Sequence, residues 1–206
     1  VRADAVLLHG ALPDWLQLGV AQSEKIRAGE WWRVITALTL HADLPHLLGN
    51  LGIGGMFVFL LCREVGAGLS WSLVLGAGAA GNSLNAWLHA AAYSSVGAST
   101  AVFGAVGALA AISAMRYHHQ LQQRWPLPVA AALALLVLLG SEGAHTDLGG
   151  HLFGFLAGLT LGGLAELLLF RFGCPGPYLQ RLLICCNILV VTVAWWSALH
   201  SVSLLP

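Results

Sequence analysis

Gly97-Ala98-Ser99-Thr100-Ala101-Val102-Phe103-Gly104 opens an apolar run that continues to residue 115, and it carries hydroxyls where a lipid bilayer favours none. A serine in a membrane helix usually bonds back to its own backbone and serves only packing. To become a nucleophile it needs a neighbouring base, most often histidine. A second stretch, Asp147-Leu148-Gly149-Gly150-His151-Leu152-Phe153-Gly154, opens another apolar run and supplies one. The reading of the chain turns on whether the two stretches meet.

Composition decides the solvent. Of the 206 residues, 9% are charged and 58% are hydrophobic, and the mean hydropathy is +0.78. A soluble domain carries roughly 25% charged residues, so this chain belongs in lipid. Nine basic and nine acidic residues cancel to a formal charge of zero, which points away from a nucleic-acid partner. The 25 glycines suit close helix packing in a bilayer. Cys62, Cys174, Cys185 and Cys186 form no C-x-x-C pair and read as small buried hydrophobes.

Taken in order, residues 1–33 contain no stretch approaching the roughly 20 apolar residues a span needs, and no signal peptide. The chain begins with valine, and a first helix ahead of it is expected to be missing. Residues 31–46 are aromatic and mixed, as at a membrane interface. About six candidate spans follow, at 46–62, 69–88, 99–115, 127–139, 148–170 and 182–199, so the fold class expected is an all-α polytopic membrane protein. The chain divides into an N-terminal extracytoplasmic or interfacial region (1–45), a catalytic helical core (46–170), and a cytoplasmic loop with a C-terminal helix (171–206). Arg63, Arg116, Arg124, Arg171 and Arg181 lie in alternate connections, while 90–97 and 140–146 have no lysine or arginine. By the positive-inside rule the former are cytoplasmic and the latter face outward. Lys25, Arg27 and Arg33 conflict with this, diluted by Glu24 and Glu30; a preceding helix would account for them.

This topology places Ser99, His151, His46 and Asn50 within about two turns of the outer ends of three helices, at about 1.5 Å rise per residue. They share one depth. Polar groups in a membrane protein are costly unless they face one another or a wet cavity, so an outward-open polar pocket is expected.

In these residues the chain resembles the rhomboid intramembrane serine proteases. Trp32-Arg33 matches the family's loop, and His46-Leu47-Leu48-Gly49-Asn50 its H-x-x-x-N. Gly97-Ala98-Ser99 with Phe103-Gly104 matches G-x-S-x-x-x-F/Y-G, and His151-Leu152-Phe153-Gly154 with Gly158 matches H-x-x-G-x-x-x-G. Each motif alone is weak; three in the right order, each opening an apolar run, are specific. The resemblance covers about residues 29 to 170 and implies a rhomboid-like helical bundle.

It also implies a dyad: Ser99 as nucleophile and His151 as general base, then general acid to the leaving amine. His46 and Asn50, on one helix face, would join the backbone N–H of Ser99 in the oxyanion hole. Phe103 would pack on the histidine ring. Asp147, one turn before His151, makes a triad conceivable, although an acid at a helix start more often caps it. Thr100 departs from the glycine common after the nucleophile.

The stripes Gly97, Gly104 and Gly107, and Gly150, Gly154, Gly158 and Gly162, are expected to face each other and draw the two helices together. Glu166, about 22 Å below His151, is expected beside Arg171. No cofactor is expected. His41 and His46 lack the H-E-x-x-H pattern and neighbouring carboxylates of a metal site, and no metal is expected. His118-His119 reads as a solvated loop.

The activity implied is endoproteolysis of membrane proteins in or near a transmembrane segment, at small or helix-weakening residues. The site would open to the extracytoplasmic side, and the compact chain points to a bacterial inner membrane. The alternative is a catalytically inactive rhomboid-like protein that binds membrane clients; such relatives usually lack the serine or histidine. A transporter would show inverted repeats, and none is legible. Oligomeric state and substrate identity are not encoded in any motif.

Overall fold

Each long helix starts where a local device ends the preceding loop. The computed structural model describes residues 14–117 and 147–201. In the first of these regions come three short helices, α1 (Trp15–Gly19), α2 (Ser23–Arg27) and α3 (Arg33–Thr36), and a 3₁₀ turn, Ala37–Thr39. Asp43 then caps α4 (Leu44–Gly49), its carboxylate accepting from the His46 N–H. A π-helical turn, Asn50–Gly54, joins α4 to α5 (Gly55–Val65), so that one continuous rod runs from Leu44 to Val65. Gly66, at φ 84°, breaks it, a backbone state open to glycine at no steric cost.

Helix α6 (Ala67–Leu88) follows, then α7 (Ser99–Arg116). Helix α8 (Leu148–Phe172) is capped by Asp147, and α9 (Pro177–Ser201) has its proline in the first turn, where the missing N–H costs no helical bond. The expected spans at 46–62, 69–88, 99–115, 148–170 and 182–199 therefore fall on helices, each observed rod a few residues longer. The expected span 127–139 and His118-His119 lie outside the described residues. Among those described, Leu44–Val65, α7, α8 and α9 are long and apolar enough to cross a membrane. Helix α6 is 22 residues long and uncharged, and it is the hub that touches α5, α7, α8 and α9.

The most extensive contact joins α7 to α8, and glycines explain how close it is. A Cβ on Gly154 would strike the Thr100 carbonyl oxygen, and one on Gly158 that of Gly104. A Cβ on Gly162 would come 2.5 Å from Ala108 Cα. The two backbones lie against each other with no side chain between, which is what small-residue stripes permit in lipid. Gly97 and Gly150 differ from the expected stripe. Gly97 precedes α7 and meets the His46 ring, while Gly150 faces Asp147 and Thr100.

At the end away from Ser99 a cationic clamp closes the same helices. Arg116 Nε and Nη2 donate to the Glu166 carboxylate at 2.9 and 2.6 Å, and Nη1 donates to Glu64 Oε2 at 2.9 Å. Glu166 thus pairs with Arg116 rather than Arg171: the last residue of α7 reaches it across the helix interface, at a depth that spacing along α8 alone does not reveal. Helix α9 docks by polar groups. Gln180 Oε1 accepts the orphan Leu69 N–H at the start of α6, at 3.0 Å, and its Nε2 donates to the Val65 carbonyl.

Gly158→Ala tests the glycine contact. It should destabilise the detergent-solubilised protein by about 1–3 kcal/mol, read as a fall in Tm. Gly163→Ala, whose Cβ would meet only Met115 Sδ at 3.8 Å, should leave Tm unchanged or slightly raised, because alanine is the better helix former.

Candidate active site

Ser99 is the first residue of α7. The loop before it is held in three ways. Residues Ala21–Gln22 (β1) pair antiparallel with Ser94–Ser95 (β2). Gly97 N–H donates to the Ala37 carbonyl at 3.0 Å. Gly97 itself has φ 134°, which a side chain would strain. The 14–40 segment that supplies these partners is in turn fixed by Arg33, which is 3% exposed. Its guanidinium bonds Glu30 at 2.6 Å and the carbonyls of Gln17 and Val20 at 3.0 and 2.9 Å.

His151 stands in the first turn of α8, 4% exposed. Its Nε2 lies 2.8 Å from Ser99 Oγ, inside the range needed for proton transfer between base and nucleophile. The contact joins residues 52 apart in sequence and is the direct consequence of the glycine-mediated packing of α7 on α8. Phe103, one turn after Ser99 and fully buried, stacks on the imidazole with centroids 4.4 Å apart and planes 24° apart. His151 Nδ1 is buried and has no hydrogen-bond partner among the described residues. The Asp147 carboxylate is engaged elsewhere: it accepts from the Gly150 N–H at 2.7 Å and from Asn85 Nδ2 at 3.0 and 2.9 Å. It is a cap, and no triad is formed.

The His46 ring closes over Gly97. A Cβ there would sit 2.6 Å from His46 Cε1 and 3.7 Å from Ser99 Oγ, so the imidazole and the hydroxyl flank one point of the backbone. Asn50 is 7% exposed and donates Nδ2 to the His46 carbonyl at 3.1 Å. It begins the π-helical turn, an irregularity often found at functional sites. His41 packs edge-on against His46, 5.2 Å between centroids; burial, then the neighbouring His46, hold it below its ordinary value. Thr100 points its methyl toward Gly81 and its hydroxyl toward Gly150, filling the seam between α6 and α8. Beside Ser99, Asn82, Ser95, Gly97, Thr100 and Asp147 help line a cavity of about 10 Å³, room for about one water.

Sequence reasoning missed Asn82, which donates to the Val34 carbonyl at 2.9 Å, and Asn85 and Tyr93, which engage Asp147. The signal was there. Two amides three residues apart in an otherwise apolar helix are expensive in lipid unless something receives them.

A helical membrane bundle that brings a serine hydroxyl and a histidine together at one end of its helices defines the class. The Rhomboid domain model matches residues 28–166, and the chain belongs to the rhomboid family; it is an integral membrane protein. It is 31% identical over 148 residues to Rhomboid-like protease 2 of Toxoplasma gondii, covering 71% of this chain and 52% of that one. It is 34% identical over 147 residues to Rhomboid-like protease 3 of the same organism, covering 70% and 55%. To Rhomboid protease GluP of Bacillus subtilis it is 28% identical over 188 residues, covering 90% and 35%. The chain thus spans about half the length of the first two relatives and about a third of the third.

Gly97→Ala should disturb both the loop and His46. The strained φ costs more than about 1 kcal/mol, and the added Cβ displaces the imidazole. A fall in Tm together with slower reaction of Ser99 with a small electrophile is expected; a variant matching the native protein in both would contradict this geometry.

Proposed function

We propose that this chain is an intramembrane serine endopeptidase that cleaves other membrane proteins in or near a transmembrane segment. The observation that carries the reading is the 2.8 Å approach of His151 Nε2 to Ser99 Oγ. Membership of the rhomboid family supports it, as do relatives whose names call them proteases.

The chemistry follows from the atoms present. Ser99 Oγ attacks the scissile carbonyl while His151 Nε2 takes the hydroxyl proton. The same nitrogen returns that proton to the departing amine, leaving an acyl ester on Ser99. Water then attacks the ester with His151 again as base. The imidazole returns the proton to Ser99 Oγ as the acyl C–O bond breaks and the new carboxyl terminus leaves. Phe103 fixes the imidazole plane throughout. The negative oxygen of each tetrahedral intermediate is received by His46, by the second N–H of the Asn50 amide, and by the Ser99 backbone N–H. The first Asn50 N–H stays on the His46 carbonyl. A donor of this kind is worth about 3 kcal/mol in the transition state, or about 100-fold in rate.

The pattern of basic residues favours an active site opening to the extracytoplasmic side, in a bacterial inner membrane. The substrates are membrane proteins with small or helix-weakening residues near the cut, whose extended backbone can reach Ser99.

Cleavage of a panel of single-span membrane proteins in proteoliposomes tests the reading. The native chain should cut at least one, Ser99→Ala and His151→Ala none, and Asn50→Ala about 100-fold more slowly. Cleavage that persists in Ser99→Ala would overturn it.

A further inference from the structure

We propose that Asp147 is a positioning residue for the dyad, acting as a knot that sets the height of the His151 helix against the loop that delivers Ser99. This rests on the serine–histidine reading proposed above and extends it to residues outside the family motifs quoted there.

The starting observation is what holds His151. With Nδ1 unpartnered among the described residues, the ring has only Phe103 on its face and Ser99 at Nε2. The glycine seam sets the register of α8 on α7 as far as Gly154, and the turn that carries His151 lies above that contact. The direction and depth of the ring come from the backbone of this first turn, which Asp147 caps. The carboxylate bonds its own helix and α6, and a third segment borders it. It accepts from the Gly150 N–H of its own helix at 2.7 Å. Asn85 Nδ2, on α6, donates to both of its oxygens at 3.0 and 2.9 Å, from a side chain 2% exposed. The Tyr93 hydroxyl, on the loop that leads to Ser99, faces the same carboxylate closely enough to feel its charge.

Burial, and next the neighbouring Asp147 carboxylate, hold the pKa of that hydroxyl above its ordinary value, so it stays protonated. The loop end of the knot is itself fastened. Tyr93 stacks on His89 at 4.3 Å, and its carbonyl accepts from Ser23 N–H at 3.0 Å. There is no slack in the turn either. A Cβ at Gly149 would strike Asn85 Oδ1, and one at Gly150 would come 2.9 Å from Thr100 Oγ1.

The helix bearing the base, the hub helix and the nucleophile loop therefore meet at one carboxylate. A displacement of reacting groups by about 1 Å costs on the order of 100-fold in rate, so loosening this knot should slow the chemistry while leaving access to the site intact.

The test is the rate of inactivation by a small alkyl fluorophosphonate, resolved into kinact and KI, alongside Tm in detergent. Asp147→Asn keeps a capping oxygen but loses the carboxylate shared by Asn85 and Tyr93. Its kinact should fall about tenfold with KI within about twofold. Tyr93→Phe removes one half-buried loop hydroxyl and should lower kinact about threefold with Tm within about 4 °C of native. The exchange Asn85→Asp with Asp147→Asn restores an amide–carboxylate pair with its polarity reversed, and should recover kinact to within about threefold of native.

A purely structural cap would predict a lowered Tm with kinact per folded molecule unchanged, and no recovery in the exchanged pair. Native kinact in both Asp147→Asn and Tyr93→Phe overturns the inference. If Asp147→Asn does not fold, Tyr93→Phe decides alone. If the native chain itself does not react, the protease reading fails and takes this inference with it; reaction of the native chain with unaltered variants sinks the inference only.

Discussion

The backbone-to-backbone contact of α7 on α8 is the constraint from which the rest follows. Gly154 and Gly158 lie against the carbonyls of Thr100 and Gly104, and no larger residue fits there. In lipid the hydrophobic effect does not press helices together, so close dispersion contact has to do it. The contact runs along both helices and ends, at one extremity, with Ser99 2.8 Å from His151. At the other it ends with Arg116 clasping Glu166 and Glu64. The serine–histidine pair is thus the last register mark of a long, rigid seam, and rigidity of that kind is what the proposed dyad requires.

Around the seam, polar groups are spent on position. Arg33 gives its guanidinium to Glu30 and two backbone carbonyls, and Asn82 reaches the Val34 carbonyl. Trp195 Nε1 on α9 donates to Thr39 at 3.0 Å, and its ring meets Trp15 edge-on. Arg33 braces the 14–40 segment from within, Asn82 and Trp195 tie it to α6 and α9, and the segment holds the loop before Ser99 through Ala21, Gln22 and Ala37. Burying a charge or amide without partners costs several kcal/mol. Here the Arg33 guanidinium is satisfied by Glu30 and two backbone carbonyls, and the Asn82 amide N–H by a third carbonyl of the same segment.

Much of this was legible in the chain itself. The helical membrane class came from composition, the start of α7 from the opening of its apolar run at Ser99, and the start of α8 from its apolar run and the acid at Asp147. That α8 would present a small-residue face for close packing followed from its glycines at every fourth residue, Gly150 to Gly162. What stayed hidden was lateral. The π-helical turn at Asn50 has no periodic signal, since one extra backbone residue leaves apolarity unchanged. The partner of Glu166 lies across an interface, not along its own helix. Gly97 read as part of a packing stripe because its spacing fits, whereas its positive φ and the His46 ring are the reasons a side chain is excluded. Asn85 carried a signal, an amide in an apolar helix without a visible recipient, and Tyr93, an ordinary loop residue, matters only because the fold brings Asp147 near it.

The most direct measurement is mass-spectrometric mapping of the phosphonate adduct formed when the purified native chain meets a fluorophosphonate in detergent. The account predicts one adduct per chain, on the peptide containing Ser99, and none in folded His151→Ala. A folded native chain that acquires no adduct, or carries it on a different serine, would contradict the claim that Ser99 and His151 form a working pair.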